Sequence, residues 1–312
     1  MSVNNAPVIA VSGLVKRYGG TVAVDGISFE VVPGEVYGLL GENGAGKTTT
    51  VEILEGFRRA TSGTVAVLGR DPADADRSFR DRIGIVLQSS GVERVLTVGE
   101  VLTLYGSCYR RSRTVEECVG LVGLEDSVDK RCDRLSGGQR RRLDLALGII
   151  GYPDLLFLDE PTTGFDPAAR RGAWGLIRSL GADGATVLLT SHYLDEVEHL
   201  ADRVGVLRRG RLIAEGSPAE LAAATGDTTV RFRLPSGAAA ATELSRLLDG
   251  TAQLDNGPDG MVVTTPTPAA TLHALTGWAL DRGLDLDGLT VQRPSLEDLF
   301  LALAHDETEA EP

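Results

Sequence analysis

The chain has 312 residues, enough for two domains of ordinary size, and 42% of them are apolar. It carries 31 basic and 44 acidic residues, and this net charge of -13 argues against a surface that binds the phosphates of nucleic acid. Residues 226–312 carry a net charge of -9 and residues 1–225 only -4, which predicts two domains that meet at about residue 226.

Strand and helix signals alternate along residues 1–225. Apolar and β-branched runs predict strands at 9–15, 22–31, 35–40, 64–68, 82–88, 155–159, 186–191 and 203–208. The central runs are apolar on both faces, which is typical of a parallel sheet covered by helices. Between residues 88 and 135 the pattern is mostly helical and more charged, so we predict an inserted helical subdomain at about 89–140.

The segment after residue 226 has a different order of elements. Strands are predicted at 228–234, 260–265 and 289–293, and helices at 239–248 and 268–282. This order predicts a small α+β domain over residues 226–306 and allows a ferredoxin-like arrangement. Ser295, with Asp298 three residues later, predicts the start of a helix over 295–304, and residues 307–312 form an acidic tail.

The cysteine pattern and the character of residues 1–10 predict a protein that lies inside the cell. Cys108, Cys118 and Cys132 are odd in number and form no Cys-x-x-Cys pair, so we expect reduced thiols. Residues 1–10 lack the basic and apolar regions of a signal peptide. The longest apolar runs are well short of the ~20 residues of a membrane helix, so we expect no span of the bilayer.

A glycine-rich motif follows the strand predicted at 35–40 and precedes a helix. Residues 41–48 read Gly-Glu-Asn-Gly-Ala-Gly-Lys-Thr and fit the phosphate-loop pattern G-x-x-x-x-G-K-[ST]. Backbone N–H groups of such a loop face phosphates, and the helix adds its positive dipole end. We predict that Lys47 reaches the β- and γ-phosphates and that Thr48 binds Mg²⁺. The predicted nucleotide-binding residues of this segment are Gly41, Glu42, Asn43, Gly44, Ala45, Gly46, Lys47, Thr48 and Thr49.

The apolar run 155–158 brings two carboxylates to the end of a predicted strand. Asp159 and Glu160 lie at its carboxyl end, where ligands bind in open α/β sheets. Such a strand end is common by itself, but beside a phosphate loop it indicates catalysis. We predict that Asp159 holds the metal ion and that Glu160 accepts a proton from an attacking water.

A second anion-binding helix start is predicted at Leu135-Ser-Gly-Gly-Gln139. Ser136 caps the helix, Gly137 and Gly138 leave the backbone accessible, and Gln139 completes the motif. This pentapeptide resembles the signature of the ATP-binding subunits of ABC transporters. The resemblance covers about residues 8–225. Within that family the chain is similar to drug exporters of the daunorubicin-resistance type, on residues 41–50, 135–147, 160–167 and 294–302.

The resemblance implies roles for residues that carry little signal alone. Tyr18 matches the aromatic residue that stacks on adenine, and His192 matches the histidine that contacts the γ-phosphate. Gln88 matches the glutamine that contacts Mg²⁺ and the attacking water and begins the segment facing the membrane partner. Asp166 matches the family's loop that crosses the dimer interface, where Phe165 departs from the usual leucine. We interpret the basic run 140–142 as a solvated helix face.

The resemblance also implies an α/β fold: a P-loop NTPase cassette with a mixed sheet core, an antiparallel β subdomain and a helical subdomain. Two copies would form a homodimer around two ATP molecules and Mg²⁺. The cassette would act at the cytoplasmic face of the membrane, as a peripheral subunit bound to a separate integral membrane permease, with no nucleic acid involved. The expected function is ATP hydrolysis that energises export of a drug or another hydrophobic compound.

Two other functions stay open on the sequence. A soluble ATPase of the same superfamily could act on the ribosome or DNA, but members of that class usually carry two cassettes, and each motif occurs once here. A nucleotide-gated binding module is the non-enzymatic alternative. Glu160 argues against that module, because a sensor needs no general base.

Overall fold

The computed structural model describes residues 6–87, 91–224, 226–234, 238–248, 252–257 and 260–298. The chain forms two compact units, Met1–Ser217 and Pro218–Pro312. The contact boundary therefore lies after Ser217, whereas the charge distribution placed it after residue 225. Among the helices of the described ranges, none has the length and apolar character that crossing a bilayer requires.

In its described residues, the first unit contains nine strands in two sheets. They are β1 (Ile9–Tyr18), β2 (Thr21–Val31), β3 (Val36–Gly41), β4 (Ser62–Val67), β5 (Ile83–Val86), β6 (Leu155–Asp159), β7 (Thr186–Ser191), β8 (Arg203–Arg208) and β9 (Arg211–Gly216). One sheet is antiparallel with the order β2-β1-β4, and the other has the order β5-β6-β7-β3-β8-β9. In the larger sheet only β9, at the edge, is antiparallel to its neighbour.

The order of the larger sheet positions the site. Strand β7 pairs with β3 on one side and with β6 on the other, all in parallel. Their carboxyl ends, Gly41, Asp159 and Ser191, therefore meet at one edge of the sheet, where ligands bind in folds of this kind. All residues of β3 and β7 are buried, as expected for the central strands of a parallel sheet that is covered by helices.

The part of this unit that the structure describes has the α-helices α1 (Lys47–Leu54), α2 (Arg77–Arg80), α3 (Val98–Gly106), α4 (Val115–Val122), α5 (Gly137–Ile149), α6 (Pro167–Ala182) and α7 (Leu194–Leu200). The sequence determines several of their starts. Thr97 with Glu100, Thr114 with Glu117, and Ser136 with Gln139 form reciprocal capping boxes. Helix α6 begins at a proline, with Asp166 accepting two backbone N–H bonds.

The core of the first unit joins its two sheets. Side chains of the antiparallel sheet, such as Ile27 and Phe29, pack with Tyr37 and Leu39 of β3 and with Leu54 of α1. The rings of Phe29 and Tyr37 stack with 5.2 Å between their centroids. Because α1 follows the glycine loop directly, this packing holds the loop in place.

The second unit begins with α8 (Pro218–Ala223) and continues with β10 (Thr228–Arg233), α9 (Ala238–Leu247), β11 (Gln253–Gly257), β12 (Gly260–Thr265), α10 (Pro268–Asp281) and β13 (Asp287–Gln292). Its sheet has the order β11-β12-β10-β13, with every pair antiparallel. This is the ferredoxin-like arrangement that the sequence allowed. Phe232, Leu275 and Trp278 lie in a core of its own.

The helix that the sequence predicts from Ser295 starts where it was predicted. The backbone N–H of Ser295 donates to Asp298 Oδ2 at 2.8 Å, and the N–H of Asp298 donates to Ser295 Oγ at 3.3 Å. These bonds form the expected helix cap. The rest of the predicted helix over 295–304 and the acidic tail 307–312 lie outside the described residues.

Candidate active site

The glycine loop between β3 and α1 is shaped by its glycines. Gly44 and Gly46 adopt φ of 82° and 106°, a backbone conformation that disfavours side chains. A Cβ on Gly46 would lie 2.5 Å from the carbonyl oxygen of Ala23, so no larger residue fits there. Gly46 is also the N-cap of α1 and has no side chain to cap it. The first N–H groups of α1 are thus left for an anion.

Lys47 is buried beneath the loop, with 7% of its surface exposed. Its Nζ donates to the carbonyl oxygens of Gly41 at 2.5 Å and Glu42 at 3.0 Å. Burial lowers the pKa of the amine, while the nearby carboxylates of Glu160 and Asp159 act in the opposite direction. The loop therefore holds a cation in place beside two acidic groups.

The carboxylates at the end of β6 are held by the neighbouring strand. The hydroxyl of Thr190, on β7, donates to Asp159 Oδ1. The backbone N–H of Glu160 donates to the Thr190 carbonyl oxygen at 3.0 Å. Glu160 has φ of 49°, in the left-handed region that is costly for a residue with a side chain. The turn after β6 is therefore strained where the predicted base lies.

Glu160 and His192 form a hydrogen-bonded pair. His192 Nδ1 lies 2.8 Å from Glu160 Oε1, although the residues are 32 positions apart in the chain. Glu160 is largely buried and His192 is partly exposed, so the pair lies at the rim of the site. A carboxylate oriented in this way is suited to accept a proton from a water molecule.

Lys47, Asp159 and Glu160 line one cavity of about 320 Å³, whereas His192 is not among its lining residues. It is lined by Ala23, Glu42, Asn43, Gly44, Gly46, Lys47, Thr48, Thr49, Asp159 and Glu160. Every lining residue except Ala23 was predicted as a site residue from the sequence. An amine, glycine N–H groups, two hydroxyls and three carboxylates line the cavity, and this set fits a nucleotide phosphate with Mg²⁺, which prefers oxygen ligands.

Other predicted site residues lie apart from this cavity. None of residues 136–139 lines it, and Ser136 and Gln139 bond each other in the cap of α5. Tyr18, at the end of β1, is 41% exposed, and Lys16 and Arg58 lie over its ring. Gln88 falls outside the described residues.

The sequence did not predict that two charged residues near the site, Arg141 and Glu196, are buried. The interpretation of 140–142 as a solvated face is wrong for Arg141, which is 6% exposed and bonds four backbone carbonyls near the ends of β5 and β6. Glu196 is fully buried and accepts from Thr162 Oγ1 at 2.7 Å and from Ser191 Oγ at 2.6 Å. Helical spacing could have signalled Arg141, because the buried Leu145 lies one turn further along α5.

The fold and the site define a P-loop nucleoside triphosphatase. The family model described as "ABC transporter" matches residues 24–163, and a model for the C-terminal domain of ABC transporter-like proteins matches 228–295. The daunorubicin/doxorubicin resistance ATP-binding protein DrrA of Streptomyces peucetius is 41% identical over 97% of this chain and 94% of its own length. The chain belongs to the family of ABC transporter ATP-binding proteins, and it binds and hydrolyses ATP.

Further relatives and solved structures agree with this family. A Nod factor export ATP-binding protein I of Rhizobium johnstonii is 39% identical over 96% of both chains. A solved ATP-binding subunit of an ABC transporter has a TM-score of 0.65 at 26% identity and covers 70% of this chain and 92% of its own. CbiO1 of Clostridium perfringens, part of the ABC transporter complex cbiONQ, has a TM-score of 0.62 at 30% identity, with coverage of 70% and 91%.

Proposed function

We propose that this chain is the ATP-hydrolysing subunit of a membrane exporter and that the exported cargo is a drug or another hydrophobic compound. The names of the DrrA and Nod factor export relatives support the exporter class. The observation that carries the proposal is Glu160, which shares one cavity with Lys47 and is hydrogen-bonded to His192. A module that only binds nucleotide would need no such base.

The charged and hydroxyl side chains at the site have distinct roles in this proposal. Lys47 holds a positive charge against the phosphates, and Thr48 and Asp159 hold Mg²⁺, together with Gln88 as the resemblance implies. Mg²⁺ supplies neutralisation of the phosphate charge. Glu160 accepts the proton of the attacking water, and His192 orients the Glu160 carboxylate through its hydrogen bond.

The second half of the site comes from a second copy in this proposal. Residues 136–139 lie apart from the cavity of their own chain, and a Cβ on Gly137 or Gly138 would meet nothing within 4 Å. The start of α5 is therefore open to an anion from outside the chain, which fits the phosphates bound by a partner. A dimeric structure of a bacterial ABC transporter cassette, with a TM-score of 0.62 at 25% identity, supports a homodimer. Tyr18 would stack on the adenine.

An apolar groove offers a surface for the permease. It contains the exposed side chains of Phe57, Leu87 and Tyr105 and, after the undescribed residues 88–90, Gly91 and Val92. Leu87, Gly91 and Val92 are close in the chain to Gln88, where the segment begins that the resemblance places against the membrane partner. We assign the groove to a cytoplasmic segment of that permease, which would hold the cassette at the membrane surface.

A single substitution tests the chemistry. Glu160→Gln keeps the size of the side chain but removes the base, so ATP binding should persist while turnover falls by about 10²- to 10⁴-fold. Steady-state phosphate release and titration with a fluorescent ATP analogue measure the two effects. Glu116→Gln, on the exposed face of α4, is the matched control and should leave both unchanged. Near-normal turnover of Glu160→Gln would contradict the assignment.

Co-expression with a candidate integral membrane permease tests the partner. The chain should sediment with membranes only when that protein is present, and cells should export a hydrophobic dye only with wild-type Glu160. Sedimentation with ribosomes and indifference to the membrane protein would support the alternative, a soluble ATPase of the same superfamily. A change of Phe57 to Asp should weaken recruitment to the membrane without reducing ATP binding.

A further inference from the structure

Arg141 lies on α5, the helix that begins with the Ser136–Gln139 segment, and its guanidinium is buried. Its Nε donates to the carbonyl oxygen of Pro161 at 3.0 Å, and its Nη2 donates to those of Asp159 at 2.6 Å and Glu160 at 2.7 Å. Its Nη1 donates to the carbonyl oxygen of Leu87. One side chain of α5 therefore bonds the backbone at the ends of two neighbouring strands, β5 and β6.

A charge in this position is costly unless its donors are used. Burial lowers the pKa of the Arg141 guanidinium, and the Asp144 carboxylate, 3.9 Å away, acts in the opposite direction. Four carbonyl oxygens occupy most of the five N–H groups, so the planar donor pattern is what makes burial tolerable. A lysine ammonium, with three donors on one atom, could not reach carbonyls on both strands.

The bond to Glu160 acts where the backbone is strained. Glu160 has φ of 49°, and such conformations persist only when the surroundings hold them. The Glu160 N–H is bonded by Thr190 on β7, and its C=O is bonded by Arg141 on α5. The two bonds hold both ends of this residue, so they determine the direction in which its carboxylate leaves the backbone.

We propose that Arg141 is a positioning residue for ATP hydrolysis, which sets the place of Glu160 through its backbone carbonyl. The inference rests on the proposed function, in which Glu160 is the base. The helix that presents residues 136–139 to the nucleotide of a second copy thereby also aligns the base of its own chain. A movement of α5 on dimer formation would reach Glu160 directly, through one side chain.

Substitution of Arg141 by Lys or by Gln tests this role. Both variants lose the fork of donors, so kcat should fall by about tenfold or more, because catalysis depends strongly on the placement of the base. The KM for ATP and the Kd for a fluorescent ATP analogue should stay within about threefold of wild type, since Arg141 does not line the cavity. Arg140→Lys, which changes a contact with the Cys132 carbonyl only, is the matched control and should keep kcat.

A double variant separates positioning from a general structural role. If Arg141 acts through Glu160, then adding Arg141→Lys to Glu160→Gln should lower turnover by no more than about twofold further. A further loss of tenfold, or a kcat of Arg141→Lys and Arg141→Gln within twofold of wild type, would overturn the inference. A fall in nucleotide affinity and in Tm that accompanies the fall in kcat would also overturn it, since the three together indicate damage to the fold.

The same experiments distinguish this inference from the proposed function. Normal turnover of Glu160→Gln alone would contradict the proposed function and the inference together. Loss of turnover in Glu160→Gln with normal turnover in both Arg141 variants would contradict the inference alone.

Discussion

Lys47 carries its charge into the interior of the protein. The amine is buried against two carbonyl oxygens of its own loop, and burial lowers its pKa. A charged group held in this way costs free energy of folding but needs no rearrangement to meet an anion. Its position is thus explained by binding and not by stability.

The substitution Lys47→Met tests whether the buried charge serves ATP binding at the expense of stability. Methionine has a similar length and no charge, so the affinity for ATP should fall by about tenfold or more while Tm does not fall. Titration with a fluorescent ATP analogue and a thermal melt measure the two effects, with Glu116→Gln as the exposed control. An unchanged affinity would count against the phosphate-loop assignment.

Helix α1 ends at a glutamate, Glu55, whose carboxyl group is buried at the apolar groove that we assign to the permease. Glu55, the C-cap of α1, is 5% exposed and lines the groove. Burial first, and then the charges of Asp159 and Glu52, raise the pKa of its carboxyl to about 8 from an ordinary value of 4.5. The folded protein therefore keeps a proton on Glu55 at neutral pH that the unfolded chain releases.

Glu55 makes stability depend on pH in a definite direction. Between pH 4.5 and about 8 the folded state binds the Glu55 proton more tightly than the unfolded chain, so stability should fall as pH rises through this range. Glu55→Gln removes this dependence and should be more stable than wild type at pH 8 by on the order of 2–4 kcal/mol. Urea unfolding at pH 5 and pH 8 measures this difference. Equal pH dependence in both proteins would show that Glu55 is not responsible.

Elements with strong local patterns were predicted well, whereas two of the edge strands were not. The predicted bounds 155–159, 186–191 and 203–208 agree with Leu155–Asp159, Thr186–Ser191 and Arg203–Arg208. Strands β9 and β11 were missed. Strand β9 has no fully buried residue, and β11 reads Gln-Leu-Asp-Asn-Gly. Such segments become strands because a neighbouring strand pairs with them, which the local sequence does not reveal.

The whole molecule is two units with separate cores. The core that joins the sheets of the first unit uses residues from Ile9 to Leu207, and the core of the second uses residues from Val230 to Ala279. A domain with a core of its own can fold alone. The proposed domain boundary is therefore testable by truncation.

A fragment of residues 1–217 should fold and bind ATP with an affinity within about threefold of the full chain, because truncation outside a domain core is tolerated. The matched control is a fragment ending at residue 208, which removes β9. It loses Glu215, which accepts from the Tyr37 hydroxyl at 3.1 Å and pairs with Arg203, so it should unfold at a lower temperature. Circular dichroism and nucleotide titration measure both fragments, and an unfolded 1–217 fragment would contradict the division.

The role of the second unit stays a proposal. Its separate charge and core are consistent with a part that braces the dimer or regulates docking on the permease. The 1–217 fragment provides the test in the complete transporter. Unchanged ATPase activity, dimer formation and export in that fragment would refute both roles.

The sequence alone determined the phosphate loop, the acidic strand end and the start of α5, because each depends on residue types at short fixed spacings. Only the tertiary structure decided that His192 bonds Glu160 and that Arg141 is buried on the carbonyls of β5 and β6. The physical reason is the sheet order β5-β6-β7-β3, which brings the ends of strands from distant parts of the chain to one edge. Spacing along the chain does not encode which strands become neighbours.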